Sequence, residues 1–286
     1  MKHPTIALLT DSGVDVPPEY VERFGIFVIP LIVRYPDREY YDRVDITPQE
    51  VYDQMPENIP TTSLPPLGII QDTFREMIKQ GYEKVIAISI SSGLSGTFNA
   101  VQMTAAEFPQ LDIVAIDTKN IGIGAGFTAI LAGLLLEQNL PFEQITSRLI
   151  SNIPYAKVFF CVETLSYLKQ GGRIGLVTAV IGSAFNIKPI ISCNKDGIYH
   201  NVARTRGRWN SLQKALDLAV KFVQGSKRYN IAVVHGDAAV EAAQIVTQLK
   251  ERLPDAELVV EGQISPALVV HTGPGLIGIG VQCLDF

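Results

Sequence analysis

Between Ile6 and Asn139, short and continuously apolar runs alternate with segments of helical period. A strand that is apolar throughout, rather than at every second residue, must be covered on both faces. Helical crossovers on a parallel sheet are the usual cover. The runs are Ile6-Ala-Leu-Leu9, Val28 to Val33, Val85-Ile-Ala-Ile-Ser-Ile90 and Ile113-Val-Ala-Ile-Asp117. The helices between them carry start and stop signals. Pro17-Pro18 opens one that Gly25 stops, Thr47-Pro48-Gln-Glu50 pairs a hydroxyl cap with a glutamate three residues on, and Ile69 to Gln80 ends at Gly81. Ser95 to Phe108 and Gly126 to Asn139 complete the set.

Near Pro154 the pattern changes. Strand candidates follow at Val158 to Val162, Ile187 to Ile191, Gly197 to Ala203, Ile231 to His235, Leu258 to Gln263 and Ala267 to His271. Helices at Trp209 to Val223 and Ala238 to Arg252 lie between some of them, and Asn194-Lys-Asp-Gly197 is a hairpin-type turn signal. A chain of 286 residues exceeds what one core usually serves. The expectation is α/β: a parallel sheet covered on both faces in a first domain, 1–155, then an α+β domain, 156–286, with the boundary near Tyr155.

Charge narrows the partners. With a net charge of -5 and no basic run longer than Arg204-Thr-Arg206-Gly-Arg208, the chain is poorly suited to phosphate backbones. Its longest greasy stretch, Phe127 to Leu136, is about half a membrane span. The apolar stretch after Met1 is too short for a signal peptide. Cys161, Cys193 and Cys283 form no C-x-x-C pair, and a sparse count fits a reducing compartment. A cytoplasmic location is expected, with no nucleic acid and no integral membrane segment.

Several polar clusters sit where ligands bind in such folds. Thr10-Asp11-Ser12 ends the first strand, as a turn cap or as part of a site at the ligand edge of the sheet. Pro60-Thr-Thr-Ser63 and Ser91-Ser-Gly-Leu-Ser-Gly-Thr97 each gather hydroxyls, the second where a helix begins. Backbone N–H groups there suit an anion, although a plain N-cap uses the same residues. Asn120-Ile-Gly-Ile-Gly-Ala-Gly126 lacks the glycine spacing and downstream acid of a dinucleotide fingerprint, so its glycines are read as close helix–sheet packing. Gly171-Gly172-Arg173 and His271-Thr-Gly-Pro-Gly275 fit a helix C-cap with a solvent arginine and a tight turn with a lone histidine. No G-x-S-x-G elbow, H-E-x-x-H or Walker A motif occurs.

Together these segments resemble the DegV family over nearly the whole chain. The resemblance rests on Thr10-Asp-Ser-Gly-Val-Asp-Val-Pro17, Pro60-Thr-Thr-Ser63, Ile90-Ser-Ser-Gly-Leu-Ser-Gly-Thr97, Thr164-Leu-Ser-Tyr-Leu-Lys-Gln-Gly-Gly-Arg-Ile174, Asn186-Ile-Lys-Pro-Ile190 and His271-Thr-Gly-Pro-Gly275, in the family's order. Departures fall at Leu64-Pro65-Pro66 and Asn120-Ile121. The resemblance implies a Rossmann-like N-terminal domain with a C-terminal α+β domain, and a carrier rather than an enzyme. It would hold a long-chain fatty acid, a C16–C18 acid such as palmitate, in an apolar tunnel between the domains, and present the carboxylate to a separate fatty acid kinase. Thr62, Ser95 and the Gly96 N–H are the implied carboxylate donors. Arg204, His271 and Arg173 are the implied secondary head-group or kinase-coupling residues, with Arg204 and His271 expected to serve transfer more than binding. No catalytic residue, metal or cofactor beyond the bound acid is expected. The alternatives are a stand-alone enzyme using Asp11, Ser95 and His271 on a lipid or small acid, or a lipid-sensing regulator.

Overall fold

The computed structural model describes residues 5–180 and 186–285, so the first four residues of the stretch weighed as a leader lie outside it. The chain runs β1 (Ile6–Asp11), α1 (Pro18–Phe24), β2 (Phe27–Ile29), β3 (Ile32–Arg34), β4 (Glu39–Tyr41), α2 (Pro48–Gln54), β5 (Thr61–Ser63) and α3 (Leu67–Lys79). It continues through β6 (Lys84–Ser89), α4 (Thr97–Ala105), β7 (Asp112–Asp117), α5 (Ile123–Glu137) and α6 (Phe142–Asn152). The second half is β8 (Ala156–Cys161), α7 (Ser166–Gln170), β9 (Ile187–Cys193), β10 (Tyr199–Arg206), α8 (Arg208–Val223), β11 (Tyr229–Gly236), α9 (Ala239–Arg252), β12 (Leu258–Gln263), α10 (Pro266–Thr272) and β13 (Leu276–Cys283).

The expected parallel sheet is present, in the order β2-β1-β6-β7, and β1 and β6 are apolar on both faces because both are covered. On one face Ala7, Leu9, Val85 and Ala87 pack on α3 and α4. On the other, Leu8, Ile86 and Ile88 meet α5. The second half forms a separate mixed sheet, β10-β9-β8-β13-β11-β12, whose outer face packs on α8 and α9. Its inner face packs on α5. A helix wedged between two sheets has no wet side, which is why α5 is apolar nearly all round. Gly280 of β13 admits that contact, since a Cβ there would stand 2.9 Å from Ile123. A small antiparallel sheet, β4-β3-β5, flanks the pair beside α2 and α10.

Three readings are corrected. Val28 to Val33 is not one strand: Pro30 has no N–H to donate, and the chain leaves the parallel sheet there to start β3 in the small one. Ala267 to His271 is a helix, α10, with Pro266 in its first turn and Gly273 just after it. The glycines of Asn120 to Gly126 lie partly inside α5, which begins at Ile123.

Candidate functional site

A cavity opens between the two sheets at the carboxyl ends of β1 and β6, the ligand end of an open α/β sheet. Counting its mouth it encloses about 1020 Å³. Ile90 and Ile123 wall it from the first half, Val158, Phe160 and Leu276 from the second. Glycine at 278 leaves the β13 wall flat, because a Cβ there would stand 3.0 Å from Val234.

Thr62, Ser95, Gly96, Arg173 and His271 all line this cavity. Each arrives by a different route. Thr62 is carried on β5, opposite Val33 of β3. Ser95 and Gly96 stand just outside α4, which starts at Thr97 rather than at Ser95 as the sequence suggests. Ser95 Oγ accepts the Thr97 N–H at 3.3 Å and lies 2.8 Å from the Thr97 hydroxyl. Among the described residues no protein acceptor takes the Gly96 N–H. Arg173 follows α7 through a glycine turn in which Gly172 N–H donates to the Lys169 carbonyl at 3.1 Å and Arg173 N–H to the Leu168 carbonyl at 2.9 Å. That is the helix-ending double bond expected of Gly-Gly. The turn aims Arg173 inward, where Nε donates to the Leu94 carbonyl at 3.2 Å and so ties the Ser-Gly loop to the second half.

His271 occupies the last turn of α10, and its Nε2 lies 2.7 Å from Thr62 Oγ1. Its Nδ1 is buried and, among the described residues, has no hydrogen-bond partner. Burial first, and the Arg173 charge second, push the imidazole down to about 4, so it is neutral at physiological pH. A buried N–H with no acceptor is costly, so the ring proton belongs on Nε2, the nitrogen that has a partner. Nε2–H then donates to Thr62 Oγ1, and the Thr62 O–H is left to donate to a ligand. The cavity lining thus includes neutral donors, Thr62, Ser95 and the Gly96 N–H, with one fixed cation beside them. This arrangement suits an anionic head on an apolar body.

Other residues fall elsewhere. Arg204 does not line the cavity. It projects, exposed, from the edge strand β10, where the Asn201 amide oxygen, suitably turned, accepts from its Nε at 2.7 Å. Asp11 is also outside: its carboxylate accepts Gly13 N–H and Ile90 N–H, each at 3.0 Å, the turn-cap role. Among the described residues no hydrogen bond links Asp11, Ser95 and His271 into a relay. Cys161, Cys193 and Cys283 are buried thiols. The Arg173–Leu94 bond, the β13 wall and the seat of the His271 ring were not legible in the sequence.

The sequence model of a family described as "Uncharacterised protein, DegV family" matches residues 5–283. A DegV domain-containing protein of Clostridium acetobutylicum is 36% identical over 277 residues, covering 96% of this chain and 97% of its own. Among solved structures, one titled as the fatty acid binding of a DegV family protein from Thermus thermophilus superposes with a TM-score of 0.90 at 29% identity, covering 98% of this chain and 100% of that one. A fat acid (stearic acid)-binding protein from Eubacterium ventriosum also gives 0.90, at 30% identity, over 98% and 99% of the two chains. With the fold, the order of motifs and the near full-length match in agreement, the chain belongs to the DegV family.

Proposed function

We propose that the protein is a carrier. Its two domains, 1–155 and 156–286, hold one long-chain fatty acid between them and present its carboxylate to a separate fatty acid kinase. The observation that carries this reading is the make-up of the interdomain cavity, whose walls are mostly apolar and whose lining includes Thr62, Ser95, Gly96, Arg173 and His271. The names of the Thermus and Eubacterium relatives support the ligand class. Burying a C16 tail gains ~0.8 kcal/mol per carbon, ~12 kcal/mol before association and ordering costs, so the walls supply the affinity. The head-group donors keep the carboxylate from being buried unpaired. A second, solvent-open hollow at Ser92 to Gly96 and Gly172 to Gly175 shares Ser95, Gly96 and Arg173 with the cavity. It supports presentation, since a partner reaching into it would meet the carboxylate.

The test is lipid extraction and mass spectrometry of the purified protein, beside Thr62→Ala/Ser95→Ala. The wild type should release an unmodified C16–C18 acid. The double variant, having lost two bonds to a charged group, should retain it roughly 100-fold more weakly while still folding. Acyl phosphate should form only when ATP and a fatty acid kinase are both added. Undiminished retention in the variant would remove the head-group assignment, and ATP turnover by the protein alone would remove the carrier reading.

A further inference from the structure

α7 and α10 pack by exchanging a ring for a glycine in both directions. The Tyr167 ring of α7 lies on Gly273, just after α10, where any Cβ would overlap it. The His271 ring of α10 lies on Gly171, just after α7, where a Cβ would overlap Nδ1 and stand 2.8 Å from Cε1. Gly273 has φ +65, which favours glycine on that ground as well, but Gly171 has ordinary helical dihedrals that any residue adopts. What glycine supplies at 171 is space. The occupant of that space is the imidazole whose other edge reaches Thr62 at 2.7 Å.

We propose that Gly171 and Tyr167 are positioning residues for the head-group site, fixing the His271 ring so that Nε2 meets Thr62 and Nδ1 stays shut away from water. Gly171 is the seat of the ring, and Tyr167, by filling the hollow at Gly273, holds α10 against α7. A methyl at 171 displaces the ring toward the cavity, breaks its bond to Thr62 and exposes Nδ1. The Arg173 guanidinium is the charged group beside the ring, and Thr62 is its polar partner on β5. Fatty-acid binding enters only as the purpose of that positioning, so the proposal rests on the function above for its consequence and not for its geometry.

The experiment is a pH titration of 15N-histidine-labelled full chain by NMR, with the His271 signal assigned through His271→Gln among the four histidines. Displacement of a fluorescent C16 acid by palmitate runs in parallel. In the wild type the His271 signal should stay neutral from pH 8 to 5.5. In Gly171→Ala it should titrate within that range, and palmitate should bind about ten-fold more weakly. Tyr167→Phe, which keeps the ring, should match the wild type in both assays, and Tyr167→Ala should shift the His271 signal toward that of Gly171→Ala. A Gly171→Ala protein whose His271 titrates as in the wild type overturns the proposal. If Gly171→Ala loses the dispersion of a folded chain, Tyr167→Ala decides in the same way, an unchanged His271 signal overturning it. A wild type that binds no fatty acid would remove the function proposed above, while the NMR arm would still decide the positioning.

Discussion

Arg204 and Thr62 show what single residues disclose about themselves. Thr62, Ser95, Gly96, Arg173 and His271 were singled out from motifs far apart in the chain, and they meet in one cavity. Their chemistry was legible because hydroxyls and bare glycine N–H groups at loop positions have few uses. Their relations were not. Nothing in the sequence announces that His271 bonds Thr62, or that Arg173, readable as a solvent arginine, turns inward to Leu94. The expected division puts His271 with transfer and Thr62 with binding, and the structure joins the two side chains by a hydrogen bond. Arg204 stands apart, exposed on its edge strand. Arg204→Ala is therefore expected to keep its full load of fatty acid by mass spectrometry, with stability changed by no more than about 0.5 kcal/mol, and to lose kinase-dependent phosphorylation. An empty Arg204→Ala protein would place the residue in the binding site, and a fully phosphorylated one would leave it as surface.

At the scale of elements, long periodic segments were easy to read and short apolar ones were not. α3, α8 and α9 fall within two residues of their expected bounds because each shows an amphipathic period over three or more turns. Ala267 to His271 is too short to show a period, so only the Ser265-Pro266 start and the Gly273 stop could have marked it as a helix. β13 went unread because Gly278 and Gly280 break its apolar run, although those glycines are what let it lie against α5 and the cavity. The hairpin turn before β10 was legible as a turn, but not as a clasp. There the Ser91 hydroxyl donates to the Gly197 carbonyl at 2.8 Å, and Gly197 has φ +77 with no room for a Cβ against Ser91. Gly197→Ala combines an unfavourable dihedral with overlap and should cost about 2–4 kcal/mol. Thermal unfolding measures this, and a midpoint unchanged within a degree would show that the turn adapts freely.

For the molecule as a whole, buried charges make acidity a stabilising variable. Burial pushes Asp11 up to about 7 and Asp42 up to about 6, and raises Asp15 where it accepts from Arg43 and from the Ser265 N–H of the other half. Asp11 and Asp42 take up a proton in the folded state at a pH where the unfolded chain still releases it, so folding gains as pH falls from 7 toward 5. His271, pushed down to about 4, and His235, also lowered by burial, act oppositely, refusing a proton that unfolded imidazoles take below about 6.5. The carboxyls outweigh the imidazoles. The unfolding midpoint is expected to be roughly 2–4 °C higher at pH 5.5 than at 7.5, the shift that about 1 kcal/mol produces in a chain of this size. Asp42→Asn, which keeps an acceptor for the Ala267 N–H, should shrink that difference, and a midpoint that falls on acidification would mean that the carboxyls stay ionised. The place of β13 bears on how the protein is made. β13 follows both β8 and β11 in the chain, yet it is inserted between them, at the middle of its sheet. Until β13 is made, β8 and β11 each keep an open edge toward the missing partner. The cavity that Leu276 and Gly278 help to line has no wall on that side until β13 is threaded home, so whatever it holds must enter after this strand is made.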